Sequence, residues 1–198
     1  MKIKKSWIVI GVIVILALIV YGSIKNTYNK MVEMEQNVEA QWSNVENVYQ
    51  RRADLIPNLV NTVKGYAEHE RETFQQVIEA RSKATSTNIN AENLSPEQLQ
   101  QFQQSQGALS SALSRLMVVV ERYPELKANE NFKQLQAQLE GTENRISVER
   151  RRFNEAARSY NTYINQFPRT IYASMFDFEE KAYFESQEGA EEAPNVEF

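Results

Sequence analysis

With 198 residues, the chain has room for one membrane segment and one domain of ordinary size. Its composition, 24% charged and 42% hydrophobic with six glycines and five prolines, is that of a folded chain built from long helices. A net charge of −4 gives no ground for nucleic-acid binding, and the absence of cysteine excludes disulfides, cysteine-type zinc sites, thiol chemistry and a lipid-attached cysteine.

From Ser6 to Ile24 no residue is charged, and Trp7 to Val20 is almost purely Ile, Val, Leu and Ala. As a helix this run spans roughly 28 Å, close to the hydrocarbon thickness of a bilayer. Trp7 and Tyr21 stand near its ends, at the level where amphipathic rings prefer to lie. Lys2, Lys4 and Lys5 resemble the basic start of a signal peptide, but no A-x-A-like cleavage site follows. Residues 1–26 are therefore expected to be an uncleaved anchor, with a transmembrane helix over about 6–24. Only Lys25 and Lys30 follow closely on the far side, so the charge balance favours a cytoplasmic N-terminus and an extracytoplasmic domain.

No proline or glycine interrupts the chain between Ser23 and Asp54. Met31, Met34, Val38, Trp42, Val45 and Tyr49 recur three or four apart, the spacing of one helical stripe, and Lys30, Glu33, Asn37 and Asn44 occupy the opposite face. The membrane helix is expected to continue outward without a joint. At Pro57 two readings compete. Asp54 can cap a new helix with Pro57 in its first turn, which gives a tight reversal. Alternatively the helix continues with a kink, because the heptad series Val38, Val45, Arg52, Leu59 and Tyr66 keeps its phase. The reversal is preferred, since a bundle must turn somewhere.

A second helix is expected from about Pro57 to Ala84, then a polar loop over residues 85–93. Ser95-Pro96-Glu97-Gln98 carries three start signals: an N-cap serine, a first-position proline and a glutamine that completes a capping box. Along this third helix Leu99, Phe102, Gln106, Leu109, Leu113, Leu116 and Val120 share a face, and Pro124 ends it. A fourth runs from about Asn129 to Phe167, with Phe132, Ile146, Phe153, Ala157, Tyr160 and Ile164 inward. Four narrow-striped helices with short connections define an all-α protein, an antiparallel four-helix bundle over residues 27–184. Past Pro168, Ile171, Tyr172, Met175, Phe176, Phe178, Tyr183 and Phe184 are too aromatic for a free tail and are expected to fold back along the bundle. Residues 185–198 are acidic and expected to be mobile.

The sequence supplies little for chemistry. His69 is the only histidine, and Ala67-Glu68-His69-Glu70-Arg71-Glu72 lacks the second histidine of a metal-binding H-E-x-x-H. Arg52 and Glu70 both fall on the apolar stripe, where a charge must reach water or find a partner. With a reversal near Asp54, Glu70 would need a cation such as Arg145 or Arg150 from the fourth helix. Arg51, Arg52, Asp54, His69 and Glu70 are the candidate polar-layer or interaction residues. No catalytic set, metal site or cofactor site is expected, and the protein is expected not to be an enzyme.

Two blocks carry a resemblance. The first is Arg51-Arg52-Ala53-Asp54-Leu55-Ile56-Pro57-Asn58-Leu59-Val60 with Trp42 before it and Val63-Lys64-Gly65-Tyr66-Ala67-Glu68-His69-Glu70 and Ala80-Arg81 after it. The second is Tyr123-Pro124-Glu125-Leu126-Lys127-Ala128, Thr142-Glu143-Asn144-Arg145-Ile146, Arg151-Arg152-Phe153-Asn154 and Tyr160-Asn161, with Phe167-Pro168 beyond. Together they resemble the LemA family over nearly the whole chain. The resemblance implies a bacterial protein with one N-terminal transmembrane helix and an antiparallel helical bundle, and it brings no catalytic residue set. It also implies a short external N-terminus and a cytoplasmic domain, opposite to the charge balance. The expected role is an interaction or scaffold module at the bacterial cell membrane, in contact with the lipid bilayer and with a protein partner or a second copy, and not with nucleic acid. The alternative is a small-ligand sensor coupled to the membrane through its first helix, with a pocket near Arg52 or Glu70.

Overall fold

A computed structural model describes residues 5–67, 69–87 and 94–185, and these are all helix and connection. The helices are α1 (Lys5–Lys64), α2 (Arg71–Ser86), α3 (Pro96–Glu121), α4 (Pro124–Ala128), α5 (Glu130–Asn165) and α6 (Arg169–Met175). From Val9 onward α1 is long and apolar enough to cross a membrane, and none of its apolar window is covered by the rest of the protein. The same helix then enters the core through Met31, Val38, Trp42, Val45 and Tyr49, as the stripe requires.

The expected reversal at Asp54–Pro57 does not occur. α1 runs through Pro57 to Lys64, and the second helix begins at Arg71 rather than Pro57. The reason lies in the backbone group that proline leaves behind. Pro57 has no N–H for the carbonyl of Ala53, four residues earlier, and an unmet carbonyl there would be costly. Arg81 of α2 meets it: its Nε donates to the Ala53 oxygen at 2.7 Å. With the carbonyl satisfied from a neighbouring helix, Ile56, Leu59, Val60 and Val63 can stay in the core on both sides of the proline. The chain turns instead after Lys64, where the amides of Tyr66 and Ala67 both donate to the Val63 carbonyl at 3.0 Å.

The start of α3 matches the expectation. Ser95 Oγ accepts from the Gln98 amide at 3.2 Å, and Gln98 Oε1 accepts from the Ser95 amide at 3.3 Å. Pro124 opens the short α4, and Asn129 then caps α5 by accepting from the Phe132 amide at 3.0 Å. α5 descends antiparallel to α1, while α2 and α3 pair beside them. The core has an upper half, where Leu59, Val63, Val77, Leu116, Leu126 and Phe132 meet. In its lower half Trp42 is packed edge-on against Phe102 and Phe153 and stacked on Phe184.

Phe184 reaches that core because the chain folds back, as expected. After α6, Asp177 takes a left-handed φ of 58°, which Asp tolerates better than most residues, and the chain returns along α5 as an extended segment. Two asparagines of α5 hold it. Asn161 accepts from the Lys181 amide and donates to the Lys181 carbonyl, both at 2.9 Å. Asn154 makes the same pair of 2.9 Å bonds with Phe184. Seven helical residues rise about 10.5 Å and three extended residues cover about 10 Å, so the two pairs fall in register. The expectations for residues 88–93 and 186–198, the polar loop and the acidic tail, lie outside the described residues.

Candidate functional site: the Arg52 layer

Arg52 is only 3% exposed and is the centre of a polar layer that joins α1, α2, α3 and α5. Its Nη1 donates to Ser110 Oγ and Glu143 Oε2, each at 3.1 Å. Its Nη2 donates to the side-chain oxygen of Gln106 and, at 3.5 Å, to the Gln106 carbonyl. Gln106 in turn donates its amide to the Ala84 carbonyl of α2 at 3.2 Å. The guanidinium lies 5.0 Å from the centre of the Tyr49 ring, a cation–π distance. Burial holds the Tyr49 phenol above its usual range, although the cations of Arg150 and Arg52 act in the opposite direction. Tyr49 therefore stays neutral at physiological pH.

This layer reads as a device for register. A buried guanidinium is tolerable only when its donors are matched, and matching them here needs α3 and α5 at one height, with Gln106 carrying the layer on to α2. At this layer Arg52 Nε and Gln103 Nε2 are buried donors with no hydrogen-bond partner among the described residues. Both residues line an open cleft of about 370 Å³ between α1, α3 and α5, whose rim includes Arg150, Glu143 and Glu185. The cleft is polar and balanced in charge. It offers hydrogen bonds to a small polar molecule or to a partner's side chains.

The other candidates fall elsewhere. Arg51 is exposed on the outer face of α1. Asp54 is exposed too, accepting from Gln50 Nε2 at 2.8 Å and standing 4.0 Å from Arg81. His69 is exposed in the turn before α2. Glu70 pairs at 2.8 Å with Arg122 at the end of α3, and not with Arg145 or Arg150. The extension of α1 to Lys64 is the cause: it carries Glu70 to the far end of the bundle, where α3 ends. Arg145 is exposed, and Arg150 caps the returning segment, donating to the Glu185 carbonyl at 2.9 Å and covering the Phe184 ring at 4.7 Å. Arg52 and Glu70 do not meet. Of the partners Gln106, Ser110 and Glu143, only the glutamine, on the apolar stripe of α3, carries a signal in the sequence. Among the described residues no cluster of three or more His, Cys, Asp or Glu side chains is placed to hold a metal ion.

A helical bundle whose first helix extends into a bilayer-length apolar segment, closed by a buried polar layer, defines the class. The chain belongs to the LemA family, whose model matches residues 41–198. It is 29% identical to the magnetosome protein MamQ 2 of Paramagnetospirillum magneticum, over 90% of this chain and 71% of that one. Similarity also extends to MamQ of Magnetospirillum gryphiswaldense, 29% identical over 79% of this chain and 64% of the relative. Protein LemA of Metamycoplasma hominis is 26% identical, over 81% and 69% of the two chains.

Proposed function

We propose that the protein is a non-enzymatic interaction module of the bacterial cell envelope, anchored by the first part of α1 and presenting the bundle to a protein partner or to a second copy. The observation that carries this reading is the uninterrupted α1: 60 residues run from the apolar segment to the top of the core with no joint. Such a rod fixes the height and attitude of the bundle over the membrane, which suits a platform better than a tethered catalyst. The surplus of lysines before the apolar run favours an extracytoplasmic bundle. Crosslinking in native membranes, followed by identification of the adducts, is expected to yield a defined partner or a defined homo-oligomer. Recovery of monomer alone would sink the reading. Protease added to spheroplasts is expected to digest the bundle, and protection would reverse the orientation.

A second reading is a small-ligand sensor, and the cleft beside Arg52 is what favours it. Bound ligand would link α1 to α3 and α5 at the height of the polar layer, and α1 would carry any shift toward the bilayer. A metabolite that raises the melting temperature of the full chain, with no effect on an Arg150→Ala variant, would support it. A flat screen would remove it.

A further inference from the structure

Phe167, Ile171 and Met175 are four residues apart, at and along α6, and are 82, 52 and 62% exposed. Only Ala173 of α6 is buried, so this short helix turns its apolar side away from the bundle. What covers it follows from where α6 sits. Tyr28 of α1 packs edge-on against Phe176 at 5.0 Å and Phe178 at 5.6 Å, which ties the end of α6 to the lowest level of the domain. Tyr28 lies four residues past Ile24, the last residue of the uncharged run, or about 6 Å along the helix. The headgroup zone on each side of a bilayer is about 5–7 Å deep.

We propose that α6 lies in the headgroup region of the same bilayer that α1 crosses, with Phe167, Ile171 and Met175 inserted at the acyl boundary. The proposal rests on the membrane-anchor reading above. The surroundings fit a lipid surface: Lys25 is exposed at this level of α1, and Arg169 covers the Tyr163 ring at 4.1 Å with its charge beside the apolar face. A second copy fits less well. A helix of seven residues is about 10 Å long, too small to supply the roughly 800 Å² that each partner of a stable dimer buries.

The absence of native cysteine allows a clean test. Ile171→Cys, Val118→Cys at the far end of the bundle and Leu16→Cys within the apolar run are spin-labelled singly in the full chain. Each is then reconstituted into phosphatidylcholine–phosphatidylglycerol vesicles. All three positions are exposed, so the labels leave the packing intact. The ratio of oxygen to nickel-chelate accessibility is expected to be several-fold higher at 171 than at 118, approaching that at 16. If 16 reads as lipid and 171 reads like 118, the inference falls and the anchor stands. If 16 itself reads as water, both fall. Spin–spin broadening at 171 that vanishes on dilution with unlabelled chain would place a second copy on the face and overturn the lipid assignment.

Discussion

At the scale of single residues, Pro57 and Arg81 behave as one unit. The Ala53 carbonyl accepts from Arg81 because Pro57 cannot supply its N–H. Arg81→Ala is therefore expected to cost about 1–3 kcal/mol, the range for a buried polar group left without its partner. In a Pro57→Ala background the backbone can close its own bond, and the same change is expected to cost well under half as much. Urea unfolding of the four chains in this cycle measures the coupling, and equal costs in both backgrounds would show that Arg81 acts through something else. The pairing was not legible in the sequence, since the two residues that meet are 28 positions apart. The proline read locally as a turn, whereas the unbroken heptad phase of Val45, Arg52 and Leu59 was the better guide. By contrast, the capping box at Ser95–Gln98 was legible because every group in it lies within one turn.

Among the elements, the returning segment is the one with no regular structure of its own, and its place depends on two side chains. Asn154 and Asn161 act on it as an adjacent strand would, each matching one donor and one acceptor. Asn161→Ala removes both bonds that Asn161 makes to the Lys181 backbone and a third to the Tyr183 hydroxyl. It is expected to cost about 2–3 kcal/mol and to speed amide exchange at Lys181 and Phe184 far more than at mid-α5 amides. A uniform rise across α5 would mean instead that the segment and the bundle open together. That the segment folds back was readable from its aromatic content. Its register was not, because nothing in the sequence marks which polar side chains of a helix will hydrogen-bond a passing backbone.

For the whole molecule, Arg52 sets how four helices stand against one another. Arg52→Ala is expected to destabilise the chain by about 2–4 kcal/mol, since it opens a hole and takes from the Gln106 side-chain oxygen the donor it accepts from. Arg52→Met keeps the volume and is expected to cost clearly less, in line with the small net value of buried ion pairs set against apolar isosteres. Glu143→Gln, at the exposed end of the pair, is expected to cost less than about 1 kcal/mol. Comparing denaturation midpoints orders the three, and a methionine variant as unstable as the alanine one would contradict the account. That Arg52 had to be matched was evident from its place on the stripe. The choice of Gln106, Ser110 and Glu143 depended on how α3 and α5 slide past α1, which hydrophobic periodicity leaves open.

The jointless passage of α1 from apolar run to core has a consequence for bilayers of different thickness. With the run embedded, the spacing between the hydrocarbon edge and Tyr28 is counted out in helical residues and cannot stretch. A thicker membrane would raise the headgroups against α6, and a thinner one would draw them away. Where the apolar run is longer than the bilayer is thick, a rod that holds its own domain can answer the mismatch by tilting as a whole. With the run embedded, such a tilt would carry a change in membrane thickness into the angle at which the bundle leans over the surface.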